Sequence, residues 1–410
     1  MSRAARVIIV ADDLTGAADT AAAFARHALT AMIDLGDGPL PEADVVAVST
    51  ESRHLAPDLA RRRVTNAAAR LRRVVHPTRT ILYKKVDSTL RGNPADELDA
   101  LMDALGLELA LAAPAFPAQG RTTVGGRQRV DGRPLEETPL AREVPSSRLD
   151  LALVARGRTS AALDLAAVRG GAGAIASAIG QAGRGVVVAD AESEADLATL
   201  VEGSRRAGVR LLCGSAGLAA ALGAALGVGD DAAQAESHAS GPVLLVIASR
   251  HPRTLAQLRT AEDAGIPVLS PSEGALAGDD GEQARVVERA ARLLARQRVL
   301  ALTTAGHRDL PGDPLDVARN LAGLVRRIAR VEPPGALILT GGDVADAVCR
   351  VLGARAIRVL GEVEPGIPWG TLVGGDLDAN PVVTKAGGFG GDDFLVTALR
   401  SIGGAFETKR

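Results

Sequence analysis

Lysine is almost missing from this 410-residue chain: it stands only at Lys84, Lys85, Lys385 and Lys409, and arginine carries nearly all other positive charge. Aromatic residues make up 2% of the sequence, with a sole Tyr (Tyr83) and a sole Trp (Trp369). The two cysteines, Cys213 and Cys349, are isolated in apolar contexts. That spacing argues against a disulfide framework or a cysteine metal site and fits a reducing, cytoplasmic setting. The six histidines show neither HxxxH nor HExxH spacing, so no metal site is expected from them. No apolar run approaches the roughly 20 residues that span a bilayer, so no membrane-spanning helix is expected. The start, Met1 to Arg6, runs straight into a strand pattern and lacks a signal-peptide cleavage site. A formal net charge of −2 excludes the basic footprint of a nucleic-acid binder. No GxxxxGK[ST] run occurs, so P-loop chemistry is excluded as well.

What remains is a chain long enough for two cores. Short apolar runs alternate with helical periods: a strand before Asp12, a helix over 16–27, strands at 30–35 and 44–49, a helix over 56–75, a strand at 80–84, a helix over 94–105 and a strand at 107–113. The alternation resumes after residue 172 and restarts after residue 242. It implies βαβ units and mostly parallel sheets. The small, polar, aperiodic stretch 227–241 marks a domain boundary, giving domains over 1–230 and 240–410. The expected architecture is two α/β domains with the active site in the cleft between them, because ligands favour domain interfaces. Residues 114–145, rich in proline, glycine and arginine, are expected to form an active-site loop.

Chemistry-bearing residues follow the strand patterns. The run Val7–Ala11 ends in Asp12 and Asp13, then Thr15 and Gly16, as the carboxyl end of a buried parallel strand does when it delivers acids into a crevice. After the strand at 80–84 come Lys85, Asp87, Ser88 and Arg91, two cations with a carboxylate and a hydroxyl. That mixture suits a small, anionic, polyhydroxylated ligand, since Arg clamps a carboxylate and Asp accepts from hydroxyls. A capped helix with a local Asp87–Arg91 salt bridge would look the same. Arg121 follows the next strand. In the second half, Thr340-Gly341-Gly342-Asp343 is a strand, turn and helix start whose backbone N–H groups can cradle an anion. Residues 361–370 read as a stiff loop holding Trp369, and 381–391 end a strand with Lys385 and four glycines. The rarity of lysine has two readings: codon bias, or retention where a compact point charge is needed.

Taken in order, ADDLTGA (11–17), KKVDSTLRGN (84–93), PAFPAQGR (114–121), TGGDVA (340–345), EPGIPWG (364–370) and KAGGFG (385–390) resemble the four-carbon acid sugar kinase family over nearly the whole chain. The resemblance implies an N-terminal sugar-acid-binding domain and a C-terminal ATP-binding domain. It implies that Asp12, Asp13, Lys85, Asp87, Ser88, Arg91 and Arg121 line the sugar-acid site. By the same resemblance Ser249, Gly341, Gly342, Asp343, Lys385, Gly387 and Gly388 line the ATP site. The stretch Ala248-Ser249-Arg250 departs from the small Gly-Ser turn of the family, while Thr254 and Gln257 keep its pattern.

The activity implied is transfer of the ATP γ-phosphoryl group, with Mg²⁺, to the terminal hydroxyl of a four-carbon sugar acid such as threonate, erythronate or 3-oxo-tetronate. Asp13, ahead of Asp12, would orient or deprotonate that hydroxyl. A sugar-acid sensor without catalysis and a sugar-acid dehydrogenase or isomerase are the alternatives. A homo-oligomer is left open, and neither nucleic acid nor membrane is an expected partner.

Overall fold

The run Val7–Ala11 has no exposed side chain and is an interior strand of the first of two compact units. The computed structural model describes residues 6–36, 38–144, 146–227, 239–307, 310 and 312–403. The first unit comprises residues 1–32 and 42–232, and the second comprises 33–41 and 233–410. Most of the 227–241 stretch that reads as a boundary lies outside the described residues.

The strands of the first half are β1 (Val7–Ala11), β2 (Ala31–Asp34), β3 (Val45–Ser49), β4 (Ile81–Lys85), β5 (Leu109–Ala113), β6 (Arg121–Val124), β7 (Arg127–Val130), β8 (Arg133–Pro134), β9 (Ser160–Leu163), β10 (Gly185–Ala189) and β11 (Leu211–Gly214). Within the first unit they order as β3-β1-β4-β11-β5-β10-β9, with every pairing parallel. A parallel sheet is covered by helices on both faces, which is why these strands are continuous apolar runs instead of alternating ones. The helix Leu14–Ala25 is built largely of alanine, so its backbone comes close to the helix Ala216–Leu226. A Cβ on Gly223 would stand 2.7 Å from the Ala23 carbonyl, so any larger residue there would force the two helices apart.

Residues 114–145 differ from the expected loop. Strands β6, β7 and β8 form a small antiparallel sheet, Arg121 opposite Val130 and Val124 opposite Arg127. The two-residue turn Gly125-Gly126, both with positive φ, closes the first hairpin, and Gly-Gly is a hairpin turn because it tolerates that geometry.

The second unit contains β12 (Val243–Ile247), β13 (Val268–Leu269), β14 (Val299–Thr303), β15 (Ala336–Thr340), β16 (Ala356–Glu364), β17 (Ile367–Val373) and β18 (Pro381–Lys385). Their order is β13-β14-β12-β15-β18-β17-β16, parallel as far as β18 and antiparallel beyond it. The 361–370 stretch is therefore a β16–β17 hairpin turning at Gly366, not a loop. Trp369 sits on β17 opposite Gly361 and Val383 and packs on the core of Leu245, Ile338 and Phe394. The helix Pro314–Val331 starts at a proline, a residue that fits the first turn, with Asp313 accepting from Leu315 N–H. It buries Leu321, Leu324, Val325 and Ile328 along one stripe, and each such side chain contributes roughly 1.5–3 kcal/mol. Leu324→Asp would place an unpaired charge in that stripe and undo it. Among the described residues no helix is long and apolar enough to cross a membrane.

Candidate active site

Because the first sheet is parallel, all its strands end at one edge, and the loops that succeed them share that edge. Asp12 and Asp13 follow β1 and are 3% and 7% exposed. Asp13 caps the helix Leu14–Ala25: its Oδ1 accepts from Gly16 N–H at 2.7 Å and its Oδ2 from the Thr15 hydroxyl at 2.8 Å. Arg53, just beyond the neighbouring strand β3, holds both acids. Its Nε and Nη2 donate to the two oxygens of Asp12 at 2.8 Å each, and its Nη1 donates to Asp13 Oδ2 at 2.5 Å. Burial disfavours the Asp12 charge, but Arg53, Lys84 and Lys85 outweigh it and hold the carboxyl below its ordinary value. Sequence reasoning missed Arg53. The available signal was its place after a strand next to β1.

Beneath this pair lies a second ion pair, also missed. Lys84 Nζ meets Glu97 Oε2 at 2.8 Å and donates to the Lys85 carbonyl at 2.7 Å, with both side chains essentially inaccessible. The Ser52 hydroxyl donates to Glu97 Oε1 at 2.7 Å, and Ser52 N–H donates to the Asp12 carbonyl at 2.9 Å. Burial works against the Lys84 charge, yet Glu97 and Asp12 raise its pKa above the ordinary value. Removing one member of such a pair strands the other, at a cost of about 3–5 kcal/mol.

Lys85 is different. It is 5% exposed, and among the described residues no hydrogen bond or ion pair holds its ammonium. Gly16 makes room for it: a Cβ there would lie 3.1 Å from Lys85 Nζ and 2.5 Å from Asp13 Oδ1. A buried cation with no direct hydrogen bond or ion pair among the described residues, beside a helix start that also presents a carboxylate, is suited to an anionic ligand carrying hydroxyls.

The loop after β4 closes on the same place. Gly92, at φ +86°, passes so near that a Cβ would lie 3.4 Å from Asp12 Oδ2. Leu90 is fully buried at φ +61°, a strained conformation of the kind that clusters at functional sites. Asp87 accepts from Arg91 Nε at 2.9 Å and Nη2 at 3.1 Å, and also from the Thr89 hydroxyl. Burial is outweighed there by Arg91, so Asp87 stays ionised far below the usual carboxylate range. The local salt bridge considered from the sequence is thus present. The Ser88 carbonyl accepts from Gln128 Nε2 at 2.7 Å, which ties the β6–β7 hairpin to this loop. Arg121 begins β6, its Nη1 donating to the Gln119 carbonyl and its buried Nε lacking an acceptor. No contact joins it to Asp12, Lys85 or Asp87 among the described residues. It comes after β5, which is separated from β4 by β11.

In the second unit the turns after β12, β15 and β18 converge. Ser249 Oγ lies where a Cβ on Gly387 would fall, and Ser249 N is 3.7 Å from the place of a Cβ on Gly341. Gly388 borders the His251 ring. Gly341 has φ +97°, closed to most residues, and begins the helix Gly342–Val351 without a side-chain cap. The first N–H groups of that helix, with Asp343 beside them, are left for another acceptor. Ala248 is not among the positive-φ residues, so alanine causes no strain there. Lys385 is fully buried and turned back onto its own loop: Nζ donates to the Ala386 and Gly387 carbonyls at 3.0 and 3.2 Å and to Thr254 Oγ1 at 3.3 Å. Burial, with the nearby Arg253, outweighs the opposing pull of Glu364 and lowers its pKa to about 8. All three lysines in the described residues are therefore buried, which fits the reading that lysine survives where a compact charge is needed; Lys409 lies outside them.

Residues 7–222 match the family described as a sugar-binding N-terminal domain, and residues 244–395 match a nucleotide-binding C-terminal domain. The chain is similar to a D-threonate kinase of Salmonella typhimurium, 35% identical and covering 96% of this chain and 97% of that protein. It is similar to a D-erythronate kinase of Heliobacterium modesticaldum at 32%, covering 96% of each. A 3-oxo-tetronate kinase of Methylobacterium radiotolerans is 31% identical, covering 95% of this chain and 97% of that one. A solved structure from Salmonella typhimurium shares the fold at a TM-score of 0.80 and 22% identity, covering 98% of this chain and 100% of its own. With both domain families matched and relatives of 31–35% identity covering nearly the whole chain, the chain belongs to the four-carbon acid sugar kinase family.

Proposed function

We propose that the protein transfers the γ-phosphoryl group of ATP to the 4-hydroxyl of a four-carbon sugar acid such as threonate, erythronate or 3-oxo-tetronate. The observation that carries the sugar-acid side is Lys85: a buried ammonium with no hydrogen bond or ion pair among the described residues, beside a carboxylate pair already held by Arg53. In this reading Lys85, Arg91 and Arg121 recognise the substrate carboxylate, while Asp87 and Ser88 take part in hydroxyl recognition. In this reading Asp13, ahead of Asp12, orients the attacking hydroxyl; both carboxylates are held in place, Asp12 by Arg53 and Asp13 by Arg53, the Thr15 hydroxyl and Gly16 N–H. Phosphoryl transfer passes through a loose transition state, so positioning and charge matter more than a strong base.

Ser249, Gly341, Gly342, Asp343, Gly387 and Gly388 would receive the nucleotide. Mg²⁺ enters with ATP as part of the substrate and neutralises phosphate charge. It needs only one or two carboxylates from the protein, and in this reading Asp343 offers one. A cytoplasmic setting belongs to the same reading, supported by two buried free thiols.

A coupled ADP-release assay over a panel of tetronates tests the proposal. ADP formed only with a sugar acid supports it. Ligand-induced stabilisation without ADP would favour a sensor, and NAD(P) reduction a dehydrogenase. Asp13→Asn should lower turnover about 10²–10⁴-fold if Asp13 acts as base; a change within about threefold excludes that role.

A further inference from the structure

The backbone carbonyls of residues 386–391 are almost all taken. The two N–H donors of Gln257 Nε2 are shared among three of them, Phe389 at 3.0 Å, Gly390 at 3.2 Å and Gly391 at 2.7 Å. Thr254 Oγ1 donates to Gly387 O at 2.8 Å, Lys385 Nζ reaches Ala386 O and Gly387 O, and Arg253 Nη1 reaches Gly390 O at 3.0 Å. Thr254 and Gln257 are fully buried on the helix Pro252–Asp263. In a trans peptide the C=O and the following N–H point in opposite directions. Drawing the carbonyls of 387, 389, 390 and 391 toward the helix therefore turns the N–H groups of Gly388, Gly390, Gly391 and Asp392 away from it, while the Ala386 carbonyl accepts from Lys385 Nζ and Phe389 N–H. One of the N–H groups turned away already meets a carboxylate, Gly391 N–H donating to Glu364 Oε2 at 3.1 Å. Those of Gly388 and Gly390 have no acceptor among the described residues, and both residues are at least partly exposed. Gly387 and Gly388 do not have positive φ. Glycine at 387 is instead required by space, since a Cβ would overlap Ser249 Oγ.

We infer that Gln257 and Thr254 are positioning residues that make the loop 386–391 a phosphate cradle, by fixing its carbonyls inward and its N–H groups toward an anionic ligand. This rests on the nucleotide reading of the second unit and specifies that the loop takes the phosphates and not the base. Such N–H concavities bind phosphate without any side-chain charge.

The test is calorimetric titration of the full chain with ADP, inorganic tripolyphosphate and adenosine. Gln257→Leu should weaken ADP and tripolyphosphate about 10–100-fold while changing adenosine affinity less than twofold. Thr254→Val should act in the same direction and Thr254→Ser should stay near wild type, which keeps the test decisive if Q257L does not fold. If wild type and variants bind ADP equally, or if adenosine is lost in parallel with ADP, the inference falls while the nucleotide reading stands. Tripolyphosphate binding that depends on Gln257 and Thr254 without ADP binding would keep the cradle and overturn the nucleotide reading. Binding of neither ligand by the wild-type protein overturns both.

Discussion

Gly16→Ala separates space kept for chemistry from space kept for folding. Gly16 lies in the first turn of the helix Leu14–Ala25 and does not have positive φ, so its backbone accepts alanine. Alanine raises helix propensity by up to about 1 kcal/mol over glycine. The new methyl would stand 2.5 Å from Asp13 Oδ1 and 3.1 Å from Lys85 Nζ. Carbon–oxygen contact needs over 3 Å, so the Asp13 carboxylate must move by several tenths of an ångström or more. The capping bond from Gly16 N–H, now 2.7 Å, weakens with it, at a cost of about 0.5–2 kcal/mol. The two stability effects nearly cancel, and a residual of about 1 kcal/mol shifts a unit of this size by roughly 2–4 °C. Function has no such compensation, because a misplacement near 1 Å costs on the order of 100-fold in rate. The expected outcome is a melting temperature within a few degrees of wild type, an unchanged KM for ATP, and kcat/KM for the sugar acid down at least tenfold. Differential scanning calorimetry and the coupled kinase assay measure the two quantities. Retention of kcat/KM within threefold would refute the reasoning, as would a fall in melting temperature of more than about 10 °C.

Three further outcomes are expected. Arg53→Met strands two buried carboxylates and should cost about 3–5 kcal/mol; because Arg53 helps hold the Asp12 pKa low, the acid limb of the stability–pH curve should move upward. In wild type the Asp12 contribution is full above its unfolded pKa and is lost as pH falls through the folded value, so urea unfolding between pH 3 and 7 that shows no upward shift in the variant refutes the clamp. Lysine-labelled NMR, simple with four lysines, should show Lys385 titrating near 8 and Lys84 above its ordinary 10.5. Lys385 makes stability rise from about pH 8 to 10.5, whereas the Lys84 contribution is full below 10.5 and is lost as pH rises through its folded value; a single shared midpoint for the buried lysines would contradict both. Asp87→Ala releases Arg91 from its charge-assisted bonds and should raise the sugar-acid KM about tenfold, as one such bond is worth roughly 1.5–3 kcal/mol; an unchanged KM places Arg91 outside substrate recognition.

The ends of apolar runs were legible in the sequence. Ala11 and Lys85 in the first unit, and Thr340 and Lys385 in the second, each end a strand, and within each unit the parallel strands bring the residues after such ends to one edge. The 114–145 hairpins were hidden because their strands are polar and short, and only Gly125-Gly126 signals the turn. Arg53 and Glu97 were not legible because their meaning is held by residues about 40 and 13 positions away, Asp12 and Lys84, and a single chain of letters does not display cross-strand neighbours. Lys385 shows the same limit from the other side: its partners are carbonyls, which every residue possesses and no letter distinguishes. Glycine is the sharpest case. Gly92 and Gly341 are there for positive φ, Gly16 and Gly387 for the room a missing Cβ leaves beside Asp13 and Ser249. Alanine at the first two would strain the backbone and test the fold. At the other two it leaves the backbone unstrained and tests the site, so only the structure decides which glycine a functional experiment should replace.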